Sequence, residues 1–199
     1  MSEAAKDRRR MWDERYAAEQ VWSAEPNALV AEIVGGWPPG RALDLGAGEG
    51  RHALWLASLG WAVTAVDFSS VGIDRGRALA ASRGLDIDWV VADATEWLPP
   101  ESAEFDLVLV AYLHLAEDVV RRAADWLAPG GSLVVVGHAL RNLTEGVGGP
   151  QDPSILQTPE GLRRAAEGLD VKRCEEVTRP TEAGTAIDVV LVARRPDAS

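Results

Sequence analysis

Leu43-Asp44-Leu45-Gly46-Ala47-Gly48-Glu49-Gly50-Arg51-His52-Ala53-Leu54-Trp55-Leu56-Ala57 reads as a buried strand, a glycine-rich turn and the opening of a helix. Glycines at 46, 48 and 50 strip Cβ atoms from a tight turn, so that backbone N–H groups at the helix start can approach a ligand closely. Asp44 precedes the first glycine at the end of the strand and sets a carboxylate beside that cradle. An acceptor there suits a cationic or hydrogen-bond-donating ligand better than a pyrophosphate.

Outward from this stretch the chain alternates. Ala42–Leu45 is a short apolar strand, and the helix from Arg51 to Leu59 is stopped by Gly60, whose missing Cβ suits a helix end. Residues 61–66 form a second strand ending at Asp67, and Ser69 or Ser70 caps a helix that runs to about Arg83 and Gly84. Ile87–Val91 ends at Asp93, and Phe105–Val110 is a fourth strand. These runs show no polar alternation, the pattern of strands buried on both faces of a parallel sheet. Glu117–Leu127 reads as a helix stopped by Pro129-Gly130-Gly131, followed by a strand over Ser132–Val136. Residues 141–157, rich in Gly and Pro, read as an exposed loop long enough to be functional. Thr158-Pro159-Glu160 opens a helix to about Gly168. Val171–Val177 and Ile187–Val192 then form a hairpin, closing a doubly wound α/β sheet with one reversed edge region.

Residues 1–37 precede this core as a helical cap, two helices broken near Ser23–Pro26 and carrying Trp12, Tyr16 and Trp22. Those rings either pack on the core or form a lid over the ligand. Length and composition fit a single domain over 1–199, with 47% hydrophobic and 26% charged residues. A net charge of -11 argues against nucleic-acid partners, which draw on clustered Lys and Arg. The Arg8-Arg9-Arg10 run is flanked by Asp7, Asp13 and Glu14 and reads as a solvated helix face. No membrane span or signal peptide is evident, so a cytoplasmic location is expected; as to assembly, a monomer or homodimer is expected. The lone Cys174 rules out an internal disulfide and a cysteine-cluster metal site, and no metal is expected.

In an open parallel sheet, ligands bind outside the carboxyl ends of the strands, and three of those ends carry Asp44, Asp67 and Asp93. Asp67 is placed to accept hydrogen bonds from ribose hydroxyls, and Asp93 with the Ala94 backbone to reach an adenine ring. A dinucleotide turn would want glycine at position 51, which is Arg51, and would have little use for Asp44. The acid-x-Gly-x-Gly-x-Gly turn with acids ending the second and third strands resembles the class I S-adenosylmethionine-dependent methyltransferases. The resemblance covers nearly the whole chain and implies a Rossmann-like seven-stranded sheet of order 3-2-1-4-5-7-6 with an antiparallel last hairpin. It further implies that the turn Gly46, Ala47, Gly48 and Gly50 passes beside the methionyl part, with Asp44 near its amino group. Asp67 would hold the ribose, Asp93 and Ala94 would meet the adenine, and Phe68 would flank the adenine or the ribose. Ala111 and Tyr112 match where that family lines the sulfonium and acceptor pocket. Trp12-Asp13-Glu14-Arg15-Tyr16, Pro26-Asn27 and Val63-Thr64-Ala65-Val66-Asp67-Phe68-Ser69 look like the small tellurite-resistance and thiopurine methyltransferases, whose N-terminal segment covers the cofactor. Trp12 and Tyr16 would then be cofactor neighbours.

Methyl transfer from a sulfonium is an in-line displacement, driven mostly by positioning and water exclusion. Its product would be S-adenosylhomocysteine. Thiolates and selenium or tellurium oxyanions need no base, whereas a neutral hydroxyl or protonated amine does. His138, with Arg141 and Asn142 behind it, is expected to orient a small-molecule acceptor, and Tyr112 and His114 to line the opposite wall. Arg141 would suit an anionic acceptor. His52 reads as solvent-facing or backbone-bonded. A nicotinamide-dependent oxidoreductase and a non-catalytic S-adenosylmethionine-binding module remain as alternatives.

Overall fold

A computed structural model of the protein describes residues 3–18, 25–101, 103–113 and 117–198. Trp22 and His114 lie outside them. The strands form one seven-stranded sheet of order β3-β2-β1-β4-β5-β7-β6, the Rossmann-like order anticipated from the resemblance. The chain divides into two compact units, Met1–Ala103 and Glu104–Ser199.

In the first unit, α1 (Glu3–Ala18) and α2 (Ala28–Val34) precede β1 (Arg41–Leu45), α3 (Arg51–Ser58), β2 (Ala62–Asp67), α4 (Ser70–Ser82) and β3 (Ile87–Val91). Strand β2 pairs in parallel with β1 on one side and β3 on the other. Leu43, Leu45, Leu56 and Ile73 are fully buried, each such side chain stabilising the fold by about 1.5–3 kcal/mol. The helix starts are capped as their sequences require. The Asn27 side chain accepts from the Leu29 and Val30 amides, and the Ser69 hydroxyl accepts from Gly72, each cap contributing about 1 kcal/mol.

The second unit holds β4 (Phe105–Ala111), α5 (Glu117–Asp125), β5 (Leu127–His138), α6 (Asn142–Glu145), a 3-10 turn (Pro153–Ile155), α7 (Pro159–Ala165), β6 (Asp170–Thr181) and β7 (Gly184–Arg194). Strand β5 is parallel to β4 and antiparallel to β7, which pairs with β6 as a hairpin. Two segments differ from expectation. Pro129-Gly130-Gly131 does not separate α5 from the next strand; it lies inside β5, where the register with β4 jumps between Phe105↔Leu127 and Leu107↔Ser132. Gly130 takes φ 77°, and its amide donates to the Arg195 carbonyl, so the turn residues make a bulge rather than a stop. Residues 141–157 are not a plain loop. They contain α6 and the 3-10 turn and are stitched to the hairpin: the Asn142 carboxamide donates to the Gly148 carbonyl and accepts from the Ile187 amide.

No described helix is long and apolar enough to cross a membrane. Among the described residues, no group of three or more His, Cys, Asp and Glu side chains is placed to hold a metal.

Candidate functional site

The glycine turn of the first unit is a left-handed chain reversal, with φ of 82°, 58° and 80° at Gly46, Gly48 and Gly50. Such values are easy for glycine and strained for other residues. The Gly46 and Ala47 amides donate to the Val66 carbonyl at 2.8 and 3.0 Å, fastening the turn to the end of β2. Asp67 completes the fastening: its carboxylate accepts from the Gly48 amide at 2.9 Å and the Ser69 amide at 2.8 Å. Burial lifts its pKa to about 6 against the pull of those amides. Asp67 therefore builds the cradle, a role beyond the ribose contact expected of it.

Asp44 is only 1% exposed. Burial is the main cause that raises its pKa to about 7, opposed by a hydrogen bond from the Ala53 amide in the first turn of α3 and by the Arg51 charge. Its second oxygen, Oδ2, has no hydrogen-bond partner among the described residues. A buried acceptor left in that state is costly, and a ligand ammonium removes the cost. Asp93 repeats the pattern. One oxygen accepts from the Thr95 amide and hydroxyl, and the other is buried without a partner among the described residues, where an exocyclic amine would satisfy it. The two carboxylate oxygens without a partner among the described residues, one at the end of β1 and one just past β3, suit an ammonium and an exocyclic amine better than a pyrophosphate.

The glycines serve two masters. A Cβ at Gly50 would stand 2.3 Å from the Trp89 ring, and one at Gly76, on α4, would stand 2.4 Å from the same ring. The third glycine of the turn is thus demanded by an indole wedged between α3 and α4. A Cβ at Gly72 would meet the Gly48 carbonyl oxygen at 3.0 Å and the Tyr16 ring at 3.2 Å, which sets α1 close against the turn.

Helix α1 is tied to the cradle at several points. The Ser69 hydroxyl donates to Asp13 at 2.5 Å, and Arg75 bridges the Glu49 carboxylate at 3.0 Å and the Ala17 carbonyl at 3.3 Å. Tyr16 is buried and stacks on Trp12 with ring centroids 5.4 Å apart. Phe68 is half-buried and Ala94 buried. His52 is buried, not solvent-facing. Its Nε2 accepts from the Asn27 amide at 3.2 Å, and burial drives its pKa down to about 3, so it stays neutral.

In the second unit, Ala111 is buried at the end of β4, and Tyr112 follows with φ 55°, a left-handed value rare for an aromatic residue. Its hydroxyl donates to Asp188 Oδ2 at 2.7 Å, and its ring lies 5.1 Å from that of His138. Arg179 Nε donates to the same oxygen at 2.7 Å, while His138 Nδ1 stands 3.1 Å from Asp188 Oδ1. The sheet register brings these groups together: His138 pairs with Asp188 across β5 and β7, and Val177 faces Asp188 from β6, so Arg179 lies two residues along on the same face. Asp188 is 1% exposed; burial pushes its pKa up, but His138, Arg179 and Tyr112 together outweigh that and hold it low. Burial and the neighbouring Asp188 raise the Tyr112 phenol well above its ordinary range. Arg179 and Asp188 escaped the sequence reading. The available signal was Asp188 itself, an acid in the middle of an otherwise apolar strand. Arg141 turns to Glu176 at 3.2 Å and Glu145 at 3.6 Å, and Asn142 is the buried stitch already described. Acids on β6 and α6 draw the Arg141 guanidinium, and the loop and β7 backbone occupy the Asn142 amide.

A methyltransferase domain family model matches residues 42–131. Over 99 residues the chain is 38% identical to a ubiquinone biosynthesis O-methyltransferase of Caulobacter sp. (strain K31), a match covering 48% of this chain and 39% of that protein. The chain thus spans about two fifths of the length of that curated relative. Two solved structures share the fold. The N-methyltransferase NodS from Bradyrhizobium japonicum, in complex with S-adenosylhomocysteine, superposes with TM-score 0.74 at 16% identity over 95% of this chain and 98% of NodS. TehB from Haemophilus influenzae does so with TM-score 0.69 at 18% identity over 92% of this chain and 67% of TehB. With the strand order and the glycine turn, these matches show that the chain has the class I methyltransferase fold, with residues 42–131 matching a methyltransferase domain.

Proposed function

We propose that this protein is an enzyme that transfers a methyl group from S-adenosylmethionine to a small-molecule acceptor by in-line displacement, acting as one cytoplasmic domain with residues 1–37 as its cap. The observation that carries the reading is the buried Asp44 carboxylate, whose Oδ2 has no partner among the described residues beside a turn of three left-handed glycines. Bound there, the cofactor supplies an electrophilic methyl on a sulfonium.

Asp44 holds the amino group, and in doing so ionises. The peptide units of Gly46, Ala47 and Gly48 let the ligand lie against the backbone. Asp67 holds the turn in shape and offers its remaining lone pairs to the ribose, while Asp93, Ala94 and Phe68 receive the adenine. Helix α1, with Trp12 and Tyr16, excludes water from the cradle rim, which favours displacement over solvent-exposed side reactions. Ala111 lines the pocket at the end of β4, where open sheets receive ligands. Tyr112 and His138 orient the acceptor at the ends of β4 and β5. Arg141, ion-paired with Glu145 and Glu176, would suit an anionic acceptor. The aromatic segment of α1 supports a place beside the small tellurite-resistance and thiopurine-type enzymes.

Calorimetry with S-adenosylmethionine, S-adenosylhomocysteine and NAD tests the cradle. Binding of the first two and rejection of the third is expected, with Asp44→Asn weakening both ligands at least tenfold. Tight NAD binding, or indifference to Asp44→Asn, would sink the reading. Release of S-adenosylhomocysteine across thiol, phenol, amine and oxyanion panels tests turnover, and a protein that binds but never turns over would be a sensor instead.

A further inference from the structure

Gly137 lies near the end of β5 and is not one of the left-handed glycines, so its backbone makes no demand for glycine. A side chain makes the demand instead. A Cβ at 137 would stand 2.5 Å from Gln157 Oε1, 3.2 Å from its Cδ and 3.9 Å from its Nε2. The Gln157 carboxamide is thus laid into the gap that the missing Cβ leaves. The backbone of Gln157 is fixed to the same strand end: its amide donates to the His138 carbonyl at 3.1 Å, and its carbonyl accepts from the Leu140 amide at 2.8 Å.

The side chain is not fixed in that way. Gln157 is 7% exposed, yet its Oε1 is buried with no hydrogen-bond partner among the described residues. A carboxamide carries an acceptor and two donors, and an acceptor buried unpaired opposes folding. An apolar side chain of similar length would fill the gap without that cost. Packing alone therefore does not account for a glutamine at this position.

The neighbours Leu140 and Thr158 line a cleft of about 370 Å³ that lies wholly within the second unit, a size suited to a small molecule. Leu140, Leu143 and Pro159 give it apolar surface, and Arg141 and Glu176, paired with each other at 3.2 Å, also line it. Gly137 and Glu176 both pair with Val189 of β7, so position 137 and Glu176 present the same face of the sheet. The gap that holds the carboxamide and the cleft share that face, and the flexible stem of Gln157 lets the carboxamide turn from one toward the other.

We infer that this cleft binds a small neutral molecule with an apolar body and a carboxamide, and that Gln157 leaves the Gly137 gap to hydrogen-bond it. One carboxamide is the complement of another: the ligand N–H donates to Oε1, and the ligand carbonyl accepts from Nε2. The apolar body lies on Leu140, Leu143 and Pro159. This site is additional to the cradle of the first unit and does not depend on the methyl donor.

NMR on the full chain, labelled at leucine methyls and side-chain amides, tests the site with benzamide and with N,N-dimethylbenzamide, which has no N–H to give. The Gln157 amide signal is assigned by its loss in Gln157→Met. Benzamide should shift that signal together with the Leu140 and Leu143 methyls, and should bind at least tenfold more tightly than N,N-dimethylbenzamide. Gln157→Met fills the same gap without a polar group, so it should melt at or above the wild-type temperature and lose at least tenfold in benzamide affinity. Gly137→Ala displaces only the end of a flexible side chain, so it should stay folded, move the Gln157 signal in the ligand-free protein and bind benzamide at least as tightly as wild type. A lower melting temperature in Gln157→Met would make the carboxamide a structural group and overturn the inference. So would absence of benzamide binding, equal affinity for the two amides, indifference of benzamide to Gln157→Met, or a Gly137→Ala protein that unfolds or loses the ligand.

Discussion

Replacing Asp44 by asparagine should make the ligand-free protein harder to unfold above neutral pH while loosening its hold on S-adenosylmethionine. Burial raises the Asp44 pKa from 3.8 to about 7, so between those values the native state binds a proton that the unfolded chain does not. Stability then falls as pH rises through that window, because the unfolded state binds fewer protons than the native one. At about 1.4 kcal/mol per pH unit the full penalty is on the order of 4 kcal/mol, absent below about pH 4 and complete by about pH 8. Asparagine keeps an oxygen for the Ala53 amide and never ionises, so Asp44→Asn should gain about 1–4 kcal/mol over wild type at about pH 8 and nothing at about pH 4. Urea unfolding at both pH values measures the difference directly. The same linkage has a ligand-side signature. An ammonium beside Asp44 lowers its pKa, so binding of S-adenosylmethionine near pH 6.5 should expel a proton, read as a binding enthalpy that varies with the ionisation enthalpy of the buffer. A variant less stable than wild type at about pH 8, or a stability difference that does not change with pH, would refute the argument from burial.

Three further outcomes follow from the same geometry. Because burial lowers the pKa of His52 from 6.5 to about 3, the unfolded chain binds the extra proton in that window, and stability contributed by the neutral ring is present above about pH 6.5 and lost toward pH 3; His52→Gln should flatten acid unfolding over that range, as followed by circular dichroism. Ser69→Ala removes both the α4 cap and the tie to Asp13, for an expected loss of about 1–2 kcal/mol in urea unfolding together with faster proteolysis within α1. Arg141→Ala should change stability by less than about 1 kcal/mol, since its partners are partly exposed, and should leave cofactor affinity unchanged in calorimetry.

The first unit was legible because its punctuation is local. Ile87–Val91 stands as predicted, and Ser69 caps α4, since a short strand rich in large and β-branched residues bounded by Gly84 and Asp93 and a serine before a helical pattern each carry their own signal. The second unit was legible in its order but not in its details. Pro129-Gly130-Gly131 looks the same in sequence whether it ends a helix or bulges a strand, and only pairing with Phe105 and Arg195 decides it. The Asp188 cluster shows the same limit more sharply. Tyr112, His138, Arg179 and Asp188 are scattered over much of the second half of the chain, and what joins them is a strand register that a one-residue slip would destroy. Arg141 looked available because sequence proximity to His138 is visible, whereas its attraction to Glu176 on β6 is not.

The indole of Trp89 occupies the volume that side chains at both Gly50 and Gly76 would claim, and this ties three positions on β3, α3's threshold and α4 into one heritable unit. Drift at any one of them is answerable to the other two: an alanine at 76 is tolerable only after the ring has shrunk, and a smaller ring leaves a hole that invites the alanine. Across descendants of this chain the three residues should therefore change in concert. A lineage that keeps the tryptophan should keep both glycines, even if its catalytic chemistry has been lost.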